Sequence, residues 1–413
     1  MLLKNAHIMD PVTGLNEIMD VEIKGERISK IDKNLPDDNI NYDLKGGVLA
    51  PSFFDPHTHF RDFGESEKET FETGALAALR GGYTKAVAMA NTIPPIDSVE
   101  MVRAAKEKVF DLPIDIIISS NLTKKMEGKE LVDVDSIVKE GINSFTDDGK
   151  PITDSEIMIE ALKKSKEYDF IISLHEEDPS FIDHAGYNST APREAEASII
   201  KRDIDLLKKY GGNIHIQHLS SKEGVDIIKQ AKHDGLNITC EVTPNHLFFT
   251  EDDVEKYGTL LKINPPIRTN EDRLALIEGL KDGTIDMIAT DHAPHTSESK
   301  NMGKYESKSG IISLEISFSM LVMKLLDEGH LDLMQIIKIL SSNPRKLYKS
   351  TSPIAVGEYA DFVYLCPDLK YNYIQSFSKS KNTPLLGEEL KGSILFTMRR
   401  GVIEYSDIKY FTI

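Results

Sequence analysis

Cysteine is scarce. Cys240 and Cys366 are the only two among 413 residues and stand far apart, which argues against a disulfide framework. Both read as buried small hydrophobes. Long hydrophobic runs are missing too. No stretch approaches the roughly 18 apolar residues of a membrane-spanning helix, and residues 1–7 lack the apolar core of a secretory signal. Positive charge is in the minority, with 49 Lys and Arg against 67 Asp and Glu and a formal net charge of −18. Nucleic acid and anionic membranes are bound largely through Lys and Arg, so neither is expected as a partner. A small anionic substrate stays open, because it needs only local positive charge. With 40% hydrophobic and 28% charged residues, the composition is globular, and the expectation is a cytoplasmic protein.

What is present is alternation. Candidate strands fall at 48–54, 84–91, 114–119, 143–146, 170–175, 213–218, 237–242 and 286–290. Helical stretches lie between most of them, at 67–80, 98–110, 154–168, 193–210, 222–233 and 270–280. Several open on Ser, Thr, Asp or Asn and close on Gly. Such alternation fits a (β/α)8 barrel of the TIM type. Both ends of the chain instead carry short strands, which predicts a small β domain built from both termini. The expected division is 1–49 with 347–413 for that domain and 50–346 for the barrel.

In a (β/α)8 barrel the reactive groups gather at the C-terminal ends of the strands. His57 and His59 close the first strand, two apart and so on one face. Asn91 closes the second, Asp147 and Asp148 the fourth, His175 the fifth, His218 the sixth and Asp291 the eighth. Arg61 offers a fixed cation beside the first pair. Imidazole nitrogen mixed with carboxylate oxygen suits Zn²⁺ or a similar metal. His57, His59, Asp148, His175, His218 and Asp291 number six where one Zn²⁺ takes about four ligands. Two metals sharing Asp148, or one metal with spare histidines, both fit. A metal there would acidify a water for attack on an amide. Asp291 is the candidate to take that water's proton and pass it to a leaving nitrogen.

The segments 57–61 (HTHFR), 145–149 (FTDDG), 174–178 (LHEED), 241–247 (EVTPNHL), 264–268 (NPPIR) and 290–295 (TDHAPH) resemble, in order, the signatures of the dihydroorotases of the amidohydrolase superfamily. The similarity runs from about residue 2 to 405. It is nearest the branch in which an aspartate of a Phe-Thr/Ser-Asp-Asp-Gly motif replaces the carboxylated lysine of hydantoinases and allantoinases. The resemblance implies a zinc-dependent cyclic amide hydrolase, with one or two Zn²⁺ per subunit. Its reaction would interconvert (S)-dihydroorotate and N-carbamoyl-L-aspartate, the third step of pyrimidine synthesis. It carries the metal-ligand role to His57, His59, Asp148, His175, His218 and Asp291, and the acid/base role to Asp291. Arg61, Asn91 and His295 would hold the substrate's α-carboxylate, Asn264 the ring amide, and Ser309 and Gly310 further parts of the substrate. It also implies a homodimer and leaves room for association with aspartate carbamoyltransferase. The alternative is another cyclic-amide hydrolase, such as a hydantoinase, dihydropyrimidinase or allantoinase.

Strand alternation lets only one of Asp147 and Asp148 face a metal, and the resemblance selects Asp148. The polar stretch 296–310 reads as a long mobile loop. Glu176, Glu177 and Asp178 read as a solvated charge run. His215 reads as structural, and His246 and His292 as neighbours of the site or packing residues.

Overall fold

The computed structural model describes residues 1–37 and 40–407. The chain begins with a meander. Strand β1 (Leu2–Asp10) pairs antiparallel with β2 (Leu15–Lys24), which turns through Gly25 (φ +59°) into β3 (Arg27–Asp32). Strands β4 (Asn41–Asp43) and β5 (Val48–Pro51) both lie parallel to β1.

Eight short strands then form the barrel: β6 (Phe53–Thr58), β7 (Tyr83–Ala88), β8 (Asp115–Ile118), β9 (Ser144–Phe145), β10 (Ile171–Leu174), β11 (Ile214–Ile216), β12 (Ile238–Val242) and β13 (Met287–Ile288). They pair in parallel as two runs, β6 to β8 and β9 to β13. Two single parallel bridges, Ser120 to Phe145 and Thr58 to His292, join the runs and close the cylinder. Apart from β8, which is largely half-buried, the strands are almost wholly buried, as parallel strands covered by helices tend to be. The covering helices start where the sequence supplies caps. Thr70, Ser98, Asp154, Ser221 and Thr269 each accept a backbone N–H from the first turn, a contact typically contributing about 1 kcal/mol.

The chain ends in β14 (Phe362–Asn372), β15 (Glu389–Arg399) and β16 (Val402–Ser406). These join the N-terminal strands in one sheet of order β16-β15-β14-β5-β1-β2-β3, with β4 on β1. Its own core includes Leu3, Ile8, Val21, Leu49, Phe362, Phe396 and Met398. The fold is therefore a (β/α)8 barrel with a small β domain drawn from both ends.

Three details differ from the sequence reading. The run 48–54 is two strands. Val48–Pro51 pairs with β14, and Phe53 onward pairs with β7. Ser52 breaks the ladder because its carbonyl accepts from Arg345 Nη1 (2.7 Å) and Ser341 Oγ (2.8 Å). The terminal sheet thus extends to Pro51, two residues past the expected boundary, and residues 408–413 of the expected C-terminal part lie outside the described residues. The helix expected over 67–80 starts at Phe71. Before it, Glu69 is drawn to Thr73, Ser378 and His292. The stretch 296–310 contains a short helix, Ser297–Lys300. Lys300 is buried there and donates to the carbonyls of Lys308 (2.9 Å), Gly310 (3.0 Å) and Lys262 (3.3 Å). This is a built turn around one ammonium, where sequence polarity alone suggests a featureless loop.

Candidate active site

The histidine and aspartate side chains meet at the mouth of the barrel. Asp148 Oδ1 lies 3.5 Å from Nε2 of His57, 3.5 Å from Nε2 of His218 and 3.9 Å from Nδ1 of His175. Its Oδ2 lies 3.3 Å from Nε2 of His59. Asp291 Oδ1 lies 2.9 Å from His59 Nε2 and 3.5 Å from His57 Nε2. His175 Nδ1 stands 3.0 Å from His218 Nε2. All six expected ligands thus share one cluster. Asp147, one residue away, turns outward and accepts from the backbone of Leu122 and Thr123 and from the Thr123 hydroxyl.

The cluster fits a cation. His57, His59 and His175 each have the outer nitrogen beside an acceptor. His57 Nδ1 is 2.7 Å from Glu241 Oε1, His59 Nδ1 is 3.0 Å from Asn91 Oδ1, and His175 Nε2 is 2.9 Å from Glu177 Oε2. Those acceptors assign the proton to the outer nitrogen and turn the inner lone pair toward the cluster, an arrangement typical of metal-bound imidazoles. Buried inner atoms then lack partners: His57 Nε2 and Asp148 Oδ1 have no hydrogen-bond partner among the described residues. Ligand atoms of His57, His59 and Asp291, and of His57, Asp148 and His218, each lie within 4.8 Å of one another.

Charge points the same way. Burial would depress the His57 imidazolium, yet Asp148, Glu241 and Asp291 hold its pKa well above the usual value. Burial would likewise raise the Asp148 carboxyl, but His57 and His218 hold it well below the usual range. A buried carboxylate-rich pocket of this kind demands positive charge.

Beside the cluster lies a second group. Arg61 donates from Nε to the Pro294 carbonyl (3.2 Å), and its Nη2 is 3.3 Å from His295 Nε2. His295 Nε2 also lies 2.8 Å from the Ser309 carbonyl, and Ser309 Oγ donates to Asn264 Oδ1 (3.0 Å). Burial, followed by Arg61, Lys68 and Lys300, pushes the His295 imidazole down to about 2. Asn91 belongs to the metal side in this structure, donating to both the carbonyl and carboxylate of Asp148 (3.2 Å each). Gly310 has φ +146° and presses on Ala293 and His295, where an added Cβ would come within 2.8 Å of His295 Cδ2. Arg61 (φ +60°), His218 (φ +35°) and Asp291 (φ +46°) all hold left-handed backbone. That conformation is uncommon outside glycine and tends to concentrate at functional sites.

Several neighbours escaped the sequence reading. Glu241 is fully buried and also accepts from His215 (3.0 Å), so His215 and His57 share one carboxylate. A lone glutamate inside the apolar run Ile238–Val242 was the available signal, because a buried charge needs partners. Glu176 and Glu177 form no solvated run; both are buried, because the chain folds inward directly after His175. Gln217 Nε2 lies 3.2 Å from His57 Nδ1. His246 bridges Thr243 Oγ1 and the Pro265 carbonyl, and His292 contacts Glu69, so both support the site from outside. A cavity of about 770 Å³ at the opposite end of the barrel, among Asn143, Asn213, Asn237 and Asp286, shares no residue with the cluster.

A closed (β/α)8 barrel with buried imidazoles and carboxylates at its mouth defines a metal-dependent hydrolase. The family model described as "Amidohydrolase family" matches residues 48–403. Dihydroorotases of Clostridioides difficile and Clostridium acetobutylicum are each 40% identical, over 98% of this chain and 99% of theirs. The dihydroorotase of Aquifex aeolicus is 38% identical with the same coverage. Among solved structures, the L-hydantoinase of Arthrobacter aurescens superimposes with a TM-score of 0.90 at 23% identity, over 98% of this chain and 96% of that one, a likeness of fold alone. The chain belongs to the amidohydrolase family and, within it, to the dihydroorotases.

Proposed function

We propose that the chain catalyses the reversible hydrolysis of (S)-dihydroorotate to N-carbamoyl-L-aspartate, with His57, His59, Asp148, His175, His218 and Asp291 holding one or two Zn²⁺. The observation that carries the substrate is the Arg61–His295 contact beside the ligand cluster. An arginine fork and an imidazole next to an amide-hydrolysing centre suit a ring amide bearing a carboxylate. Asn264, Ser309 and Gly310 border that side, whereas the Asn91 amide is engaged with His59 and Asp148.

A divalent metal in this site supplies an acidified water and a Lewis acid for the amide carbonyl. The chain's own residues do the rest. Asp291 takes a proton from the water as its oxygen bonds to the ring amide carbon. It then delivers that proton to the ring nitrogen as the carbon–nitrogen bond breaks. The water's oxygen ends in the new carboxyl group, which ionises by releasing the water's second proton to solvent, and the nitrogen becomes the terminal amide NH2 of the carbamoyl group. Glu241, Asn91 and Glu177 keep the imidazoles in the tautomer that faces inward. Arg61 and His295 fix the α-carboxylate so that one face of the ring meets the centre.

Zinc as the metal, a homodimer and contact with aspartate carbamoyltransferase belong to the same reading and rest on the family resemblance, whereas a cytoplasmic site of action rests on the composition and the N-terminal sequence. The mixed nitrogen and oxygen donors support zinc. A substrate panel tests the function. Turnover of dihydroorotate, with hydantoin and allantoin left untouched, is expected; the reverse pattern removes the reading.

A further inference from the structure

The segment between β14 and β15 leaves the terminal sheet and runs to the barrel mouth. Ser378 and the backbone of Lys379 bind Glu69, and Ser380 donates to the Lys68 carbonyl (2.7 Å). Asn382 goes deepest and is 3% exposed. Its Oδ1 accepts from the backbone N–H of His295 (3.1 Å). Its Nδ2 donates to the carbonyls of Ala293 and Gly310 (3.0 Å each). Its own carbonyl accepts from the Ile312 N–H (3.2 Å). One amide thus ties the strand end that follows Asp291 to the Ser309–Gly310 turn.

We propose that Asn382 is a positioning residue for the carboxylate-holding side of the site, so that the terminal β domain completes the substrate pocket. The inference rests on the carboxylate reading of Arg61 and His295 given above. Asn382 touches neither the cluster nor the substrate side chains. It acts through the backbone of the segment carrying His295. Its side-chain amide makes three bonds of 3.0–3.1 Å, two to the 293–295 segment and one to Gly310, and no other side-chain type of its size offers one acceptor and two donors in that arrangement. A small displacement of His295 would loosen its contacts to Arg61 and Ser309 while leaving the six ligands in place.

Two variants test this in the full-length, metal-loaded protein. Asn382→Ala removes all three bonds. Asn382→Asp keeps the acceptor and turns an oxygen toward two carbonyls. Both are expected to raise KM for dihydroorotate by about tenfold or more, since sub-ångström misplacement of a holding group costs affinity first. The kcat and metal content should stay near those of the parent, with both variants folded at the assay temperature although their melting temperatures fall as buried groups lose partners. An unchanged KM in either folded variant overturns the proposal. So does a kcat loss at constant KM, or a KM change that merely tracks lost stability and metal. A second readout is independent of turnover: the ¹⁵N imidazole signal of His295 should shift in Asn382→Asp, and an unmoved signal also overturns it. If the parent itself fails to hydrolyse dihydroorotate, the function reading falls, and the His295 signal alone decides on Asn382.

Discussion

Glu241 stands between two imidazoles, with Oε1 2.7 Å from His57 Nδ1 and Oε2 3.0 Å from His215 Nε2. Burial would raise its carboxyl, but the histidines hold it down at about 2. It therefore stays an acceptor at any working pH and keeps the His57 lone pair inward. Glu241→Gln is expected to weaken metal affinity about 10–100-fold, the usual effect of removing such a partner. A zinc titration of folded protein checks this, and undiminished affinity would remove the assigned role.

Asp291→Asn should lower kcat by about 10²–10⁴, the range lost with a general acid/base. Elemental analysis of the same sample separates lost metal from lost proton transfer. Substantial turnover in the variant would mean that another group moves the proton.

For Arg61→Met the expected defect is in binding. KM should rise by about 100-fold, in line with loss of a charge-assisted pair worth roughly 3 kcal/mol. Arg61 holds left-handed backbone (φ +60°), so circular dichroism and melting temperature of the variant control for misfolding. An unchanged KM contradicts the clamp.

Removal of metal by a chelator should abolish activity, and added Zn²⁺ should restore it. Persistence of full activity in protein shown to contain no metal would refute the cluster's role.

Acid stability follows from His246. Burial first of all pushes this imidazole down to about 3, whereas an unfolded histidine titrates near ~6.5. The folded value is the lower one, so the unfolded chain binds the extra proton. The stabilisation is intact above the unfolded value and drains away as pH falls from there toward about 3, at up to roughly 1.4 kcal/mol per pH unit. His295, pushed down to about 2, acts in the same direction. His246→Gln removes one titrating group and offers a donor for the Pro265 carbonyl. Its melting temperature should fall less steeply between pH 6 and 4 than that of the parent, and parallel slopes would exclude His246.

The candidate ligands were legible because each sits at a strand end inside a short motif, and a barrel brings strand ends together. His57, His59, His175 and His218 needed no knowledge of packing. Glu177 and Glu241 were not legible in the same way. Their chemistry depends on which way the chain turns after Leu174 and on which strand lies beside β12, and neither is written locally. The division at Ser52 was hidden for a similar reason. Residues 48–54 are apolar throughout, and the groups that interrupt the ladder, Ser341 and Arg345, lie nearly three hundred positions on. Asn382 is the extreme case, an ordinary asparagine in a polar stretch that sequence alone gives no cause to single out.

The reach of the 378–382 segment back to the mouth also bears on how the protein is made. During translation every candidate ligand of the cluster is in place by residue 291, yet the asparagine proposed to position His295 is added only near the end. A message interrupted after Asp291 would encode all six candidate ligands without the residue proposed to position His295. On that proposal, grip on the substrate depends on a residue added some ninety positions after the last candidate ligand.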